Sequence, residues 1–427
     1  MEVKQGRIPP GPPEKYGVSD DLLDWMGRQF ELFGNIFKAS VYETSVYATR
    51  DVEFAHHVLV ENWENYAKGQ IIKRVALLLG NGLMVSKGNL WKRQRRMIQP
   101  AFTHESIAPL MQMISGVNSA LLSKWQLAAR RNEGVNVTRD ASGVALEVVL
   151  RFILGEDYER VGSHFDLLTQ EQARNMQFAL SFRALGKIIR EVIDRRREHL
   201  QTSGDALGML MEARDPESGQ LMPDNQLIDE ILTLIVAGHE TTASTLSWAW
   251  YLISQHPEVE QKLSSELNTL KPYSELSDLP RFLYTRQIID EVMRLYPAGW
   301  LLTRRALGDD HLGKYFVPAG TEIYIPLYFI QRHPDLWEEP NRFNPDRFRS
   351  DPSKQRHRLA TFPFSAGPRN CIGALFARIE MQIHLMTIAK CLRLRFAPSG
   401  PVELDADVNL RSKYDFIMYP EMRQSLS

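Results

Sequence analysis

The sequence predicts one large, mainly helical domain with a minor β-sheet part, and three observations carry that expectation. A stretch without proline runs from Asp224 to Pro257 and is nearly apolar all round in its middle; at helical rise it spans about 45 Å, enough to cross a molecule of this size. Apolar residues elsewhere recur mostly at helical spacing rather than alternating. Finally, the 427 residues hold no internal repeat, low-complexity linker or block of like charge that would divide them.

In chain order, residues 8–13 (IPPGPP) form a stiff, extended lead-in. Loose alternation around YETS predicts a hairpin over residues 36–49. Helical patterns follow at 90–98, 188–200, 225–254, 283–295 and 374–391, with a second β-like patch at 315–325 turned by Pro318 and Gly320. A net charge of −1 gives no field directed at nucleic acid or an anionic membrane. Two cysteines exclude a disulfide framework and a four-cysteine zinc site, and point to a reducing compartment. With no apolar signal segment and no run long enough to span a bilayer, the expectation is a cytoplasmic protein without a membrane anchor.

Chemistry concentrates in FPFSAGPRNCIGALFA, residues 362–377. A lone cysteine is ordinarily a buried small hydrophobe, the reading given to Cys391. Cys371 has different company. It precedes an apolar helical run, whose N-terminal N–H groups favour a thiolate. Gly367 and Gly373 let backbone approach a flat, bulky group, and Arg369 offers it a cation. An anionic sulfur, close backbone and a cation for a propionate are what a haem iron with a cysteine ligand requires.

The pattern Phe364-x-x-Gly367-x-Arg369-x-Cys371-x-Gly373 resembles the haem-binding loop of the cytochrome P-450 family. The resemblance extends in the family's order from about Trp91 to the C-terminal end. It implies haem b (iron protoporphyrin IX), with Cys371 as the axial ligand. Glu291-x-x-Arg294 alone would read as a weak surface ion pair. With Arg347 in FNPDRF, it resembles the family's buried structural triad. Trp91-x-x-x-Arg95 places two residues on one helix face, where by resemblance both reach one propionate, and Arg304 in TRRALGDD is the further propionate arginine. AGHETT, with Ala237 and Gly238, resembles the oxygen-activating groove: Gly238 makes room, the Thr241 hydroxyl bonds backbone or oxygen, and Glu240 relays protons. His239 is read as packed, and Thr242 and Thr245 as helix packing.

By resemblance, the substrate contacts are Met84, Trp300, Leu301, Leu302, Tyr414 and Phe416. Their apolar character implies a small lipophilic substrate, of fatty-acid, terpenoid or polyketide class. The implied reaction is hydroxylation or epoxidation with O2 by a monomeric enzyme. Electrons would come from a ferredoxin or flavodoxin with its reductase, because no fused reductase domain is expected. Lys92, Arg93 and Arg96 form the candidate docking patch. The interval from Tyr158 to Lys187 is short for the family's lid, so one shortened helix pair and an open pocket are expected. Two other readings stand beside this one: a peroxide-dependent peroxygenase or isomerase, and a non-catalytic haem sensor.

Overall fold

The computed structural model describes residues 6–13, 15–16, 21–41, 43–70, 72, 76, 79–169, 176–199, 203–349, 357–397 and 400–423. The lead-in lies extended, its Pro10 carbonyl accepting the Lys38 N–H at 2.8 Å. Helix α1 (Leu22–Phe33) starts where the Asp21 carboxylate caps the N–H groups of Leu23 and Asp24. The expected hairpin forms as β1 (Ile36–Val41) and β2 (Thr44–Thr49). Helix α2 (Val52–His56) widens into a π-helical turn, His57–Glu61. Strand β3 (Tyr66–Lys68) then enters the same sheet.

The helical body comprises α3 (Gly88–Ile98), α4 (Met111–Arg131) and α5 (Val137–Leu154), the last entered from the two-residue strand β4 (Val135–Asn136). It continues with α6 (Met176–Glu198), α7 (Asp224–Gln255), α8 (Pro257–Thr269), α9 (Leu283–Leu295) and α10 (Ala374–Ala389). Helix α7 is the 32-residue central element that its sequence announced, and α5 packs along it. Both contribute to the largest apolar core, which α4, α9 and α10 complete.

The main sheet runs β1-β2-β6-β5-β3, with β5 (Leu301–Ala306) and β6 (Glu322–Pro326) in its centre. Only the β2–β6 pair is parallel. In the β3–β5 register, Lys68 stands opposite Arg304. The patch at 315–325 is two strands on either side of the expected turn: Tyr315–Val317 pairs with Asp310–Leu312 in a separate ribbon, while β6 joins the main sheet. A three-stranded sheet near the C-terminal end places β8 (Ile417–Met422) between β4 and β7 (Leu392–Phe396).

The lid interval differs from expectation. A 3-10 run (Gly162–Thr169) leads toward a single long helix, α6, which begins at Met176, well before Lys187. The expected shortened helix pair spans residues 170–175, which lie outside the described residues; before them a short α-helical turn, Tyr158–Val161, runs into the 3-10 segment.

Candidate active site

Nested turns build the cysteine loop. The Ser365 N–H donates to the Phe362 carbonyl at 2.8 Å, Asn370 to Gly367 at 3.1 Å, and Cys371 to Phe364 at 2.8 Å. Gly367 has φ +71°, and a Cβ there would lie 1.9 Å from the Leu59 carbonyl oxygen. The position thus requires glycine twice, for its backbone region and for the π-helical turn pressed against it. Gly373 caps α10, and the Phe364 ring lies under the Arg378 guanidinium at 5.1 Å. Cys371 itself is exposed. Crowding by the surrounding protein pushes its thiol pKa up, while the Gly373 N–H and the Arg95 charge pull it down. The environment is thus less thiolate-favouring than the helix N-terminus alone implied; a metal on the sulfur removes the proton outright.

Three cations meet beside this loop. Arg304 is buried and donates only to the Thr303 carbonyl, at 2.9 Å, among the described residues. Burial, then Arg369, pushes its pKa down to about 10. The Arg369 guanidinium lies 4.1 Å over the buried Trp91 ring and donates to the Ser86 carbonyl at 3.3 Å, leaving Nε without a partner. Burial, Arg304 and Arg369 together push Lys68 down to about 7. No carboxylate of the described residues pairs with any of the three. A group bearing two carboxylates would answer this excess, so the residues present fit a haem whose propionates reach Arg304 and Arg369.

Arg95 corrects the helix expectation. It shares a face of α3 with Trp91, yet its guanidinium turns to Asn370, at 2.7 Å to the carbonyl and 3.0 Å to Oδ1, and to Gln99 at 2.8 Å. Trp91 and Arg95 therefore do not converge on one point here, because the cysteine loop satisfies the arginine locally. The basic patch on the same helix is also largely neutralised. Lys92 pairs with Glu64 at 3.3 Å, and Arg96 with Glu217 at 2.6 Å and Asp215 at 3.4 Å.

On α7, the Thr241 hydroxyl donates to the Ala237 carbonyl one turn back, at 2.8 Å. Glu240 is exposed, and its Oε2 accepts the Asn409 amide at 2.7 Å. His239 is buried against Ser142 at 2.8 Å, and burial pushes its pKa down to about 4, so it is a packed neutral ring. Thr242 is buried, and Thr245 bonds the Thr241 carbonyl at 2.9 Å. Gly238 departs from its expected role. A Cβ there would meet Val149 Cγ2 at 2.8 Å, so the missing side chain lets α7 approach α5 rather than clearing space for oxygen. Gly238→Ala is expected to destabilise the fold by about 1–3 kcal/mol through overpacking. Val149→Ala in the same chain should recover most of the loss in a denaturant titration; no recovery would contradict the packing role.

The loop before α3 is clamped onto α7. The Asn81 N–H donates to Asp229 at 2.8 Å and the Leu83 N–H to the buried Glu230 at 2.7 Å, whose carboxyl burial pushes up to about 8. This clamp, Lys68 and Asn409 belong to no pattern noted in the sequence; their roles arise from contacts far apart in the chain.

The triad of charges assembles as expected. Arg294 Nε and Nη2 grip Glu291 at 2.6 and 2.8 Å, and Arg347 Nε reaches Glu291 at 2.9 Å. Glu291 and Arg294 are fully buried, and both guanidinium groups lie over Trp337, at 5.0 and 5.5 Å.

The substrate residues divide. Met84 is half-buried in the clamped loop, and Leu301 and Leu302 are half-buried on β5. Trp300 is buried in the core under the main sheet, with Tyr324. Phe416 packs among Trp248, Tyr251 and Phe396, at 5.3, 4.9 and 5.7 Å. Tyr414 is 57% exposed beside Lys413. Trp300 and Phe416 are thus packed in the core, and Tyr414 lies at the surface.

A family model described as "Cytochrome P450" matches residues 15–185 and 165–409. The chain is 32% identical over 387 residues to cyclooctat-9-en-7-ol 5-monooxygenase of Streptomyces melanosporofaciens, covering 86% of this chain and 83% of that protein. It is 30% identical over 400 residues to pentalenene oxygenase of Streptomyces avermitilis, covering 88% and 86%. Among solved structures, the retinoic-acid-bound cyanobacterial CYP120A1 superposes with a TM-score of 0.89 at 23% identity, covering 98% of this chain and all of that one. The chain belongs to the cytochrome P450 family and is a haem-dependent monooxygenase. No helix among the described residues is long and apolar enough to cross a membrane.

Proposed function

We propose that Cys371 would supply the sulfur ligand of haem b, and that the enzyme inserts one oxygen atom from O2 into a lipophilic substrate of terpenoid class. The convergence of Arg304, Arg369 and Lys68 with no partner acid among the described residues, beside a cysteine loop shaped by Gly367, carries this reading. The substrate class rests on the relatives named for cyclooctat-9-en-7-ol and pentalenene, an unsaturated alcohol and an unsaturated hydrocarbon. Electrons come from a ferredoxin or flavodoxin with its reductase.

Bound through a cysteine sulfur, haem iron supplies oxygen activation and the sulfur's electron donation toward O–O cleavage. The chain's own residues supply position and protons. Arg304 and Arg369 would hold the propionates, and Trp91 braces Arg369 from beneath. The Thr241 hydroxyl, held against Ala237, can turn from that carbonyl to donate a hydrogen bond into the groove. Exposed Glu240, anchored by Asn409, takes protons from solvent and passes them toward Thr241.

Thr241→Ala tests the oxygenase reading. In turnover driven by the reductase, roughly tenfold less product per electron pair is expected, with peroxide released instead, as for loss of one positioned proton-transfer group. An enzyme that uses peroxide would keep its product yield in this variant, and that result would favour the peroxygenase reading.

A further inference from the structure

The acid of the central helix is met by a side chain from far along the sequence. Strands Leu404–Ala406 and Leu410–Ser412 pair as an antiparallel hairpin whose tip is residues 407–409. From that tip Asn409 Nδ2 donates to Glu240 Oε2 at 2.7 Å. An exposed glutamate on a helix otherwise turns among several rotamers, and the amide selects one of them.

The hairpin is fixed independently of that bond. Leu410 is fully buried. Its N–H donates to the Ala298 carbonyl at 2.9 Å, and its own carbonyl accepts the buried Ser244 hydroxyl at 2.7 Å. Across the pair, Arg411 reaches Asp405 at 3.1 Å and Lys413 reaches Glu403 at 2.6 Å. Ser244 lies one turn beyond Glu240 on the same face of α7. Ser244 already secures the hairpin to this face, so the Asn409 bond is not needed to hold it there. What the amide adds is a fixed direction for a carboxyl group next in sequence to Thr241.

We propose that Asn409 is a positioning residue for the oxygenation, holding Glu240 so that its other carboxyl oxygen carries protons toward Thr241. The proposal rests on the relay of Glu240 and Thr241 set out above. With Oε2 engaged by the amide, Oε1 is the oxygen that exchanges. It gives a proton toward Thr241 and takes another from solvent, so the carboxyl group returns unchanged. The buried Leu410 backbone, held at both its N–H and its carbonyl, keeps the neighbouring Asn409 in place through each cycle.

The test compares the wild type, Asn409→Ala, Asn409→Asp and Glu240→Ala as full-chain, haem-loaded enzymes driven by the reductase. Pentalenene is the substrate probe, and product and peroxide are counted per electron pair in water and in deuterium oxide. Asn409→Ala is expected to give about fivefold less product, with peroxide released instead, the scale of one hydrogen bond. Its solvent isotope effect on product formation should rise, because proton delivery becomes the slower step. Asn409→Asp keeps the shape of asparagine but turns an acceptor toward Glu240 in place of the donor, so it should lose at least as much. A residue that only packs the hairpin would be spared by that isosteric change. Both variants should melt with the wild type and hold as much haem, since Leu410 and Ser244 are untouched.

A second readout needs no turnover. In the reduced, carbon monoxide-treated protein labelled with 15N at asparagine, the side-chain amide signals of Asn409 should move when Glu240 is replaced by Ala. Signals indifferent to Glu240 would overturn the proposal, and so would a wild-type product yield in Asn409→Asp. Glu240→Ala separates the two claims. If it releases peroxide while both Asn409 variants keep the wild-type yield, only the role of Asn409 falls. If it too keeps that yield, the relay on which the role stands falls with it.

Discussion

Glu291→Ala is expected to remove about 3–5 kcal/mol of folding stability, because it leaves the fully buried Arg294 without its carboxylate. That is a large share of the 5–15 kcal/mol typical of a folded domain. The loss is compounded at two further points. Arg347 Nε and the Asn344 N–H both end on Glu291 Oε1, at 2.9 Å each, so the same substitution strands two further donors, both in the segment that leads toward the cysteine loop. Arg347→Ala should cost less, since Glu291 keeps its two bonds from Arg294. The check is a denaturant titration of both variants with haem content read in parallel. Glu291→Ala should give little soluble haem protein, with Arg347→Ala intermediate; equal and small losses would contradict the buried-network account.

Cys371→Ser is expected to have the opposite profile: an intact fold and no oxygenase activity. The Cys371 side chain is exposed, and the loop is held by the backbone bond from its N–H to the Phe364 carbonyl, which serine retains. The haem-free variant should therefore melt with the haem-free wild type, since serine breaks no packing there. A serine hydroxyl gives the iron no thiolate, and turnover should fall by orders of magnitude. Product formation at a rate near the wild type would mean that another residue ligates the iron.

Much of this site was legible because short sequence patterns report local geometry. Cys371, Gly367 and Arg369 lie within one loop, and α9 carries Glu291 and Arg294 one turn apart on a single face. The central helix was legible for a different reason. Its apolar span is bounded by Pro223 and Pro257, and residues that a core helix would not otherwise carry mark its middle.

What the sequence did not disclose depends on direction and on distant partners. Spacing placed Trp91 and Arg95 on one face, but Arg95 turns to Asn370, some 275 positions away. Gly238 sits in the recognised segment, yet only the packing of α5 shows that its missing Cβ faces Val149. Trp300 directly precedes two half-buried strand residues. It lies just outside the strand and is buried in the core with Tyr324, which its place in the sequence does not show. Lys68 belongs to no pattern; its meaning appears only when β3 lies beside β5.

The central claim is that Cys371 places a thiolate on haem iron, and the absorption spectrum of the reduced protein with carbon monoxide tests it most directly. The account predicts the red-shifted Soret band that gives the family its name, present in the wild type and absent in Cys371→Ser. A band at the position of histidine-ligated haem in freshly prepared wild type, or the red-shifted band persisting in the serine variant, would contradict it.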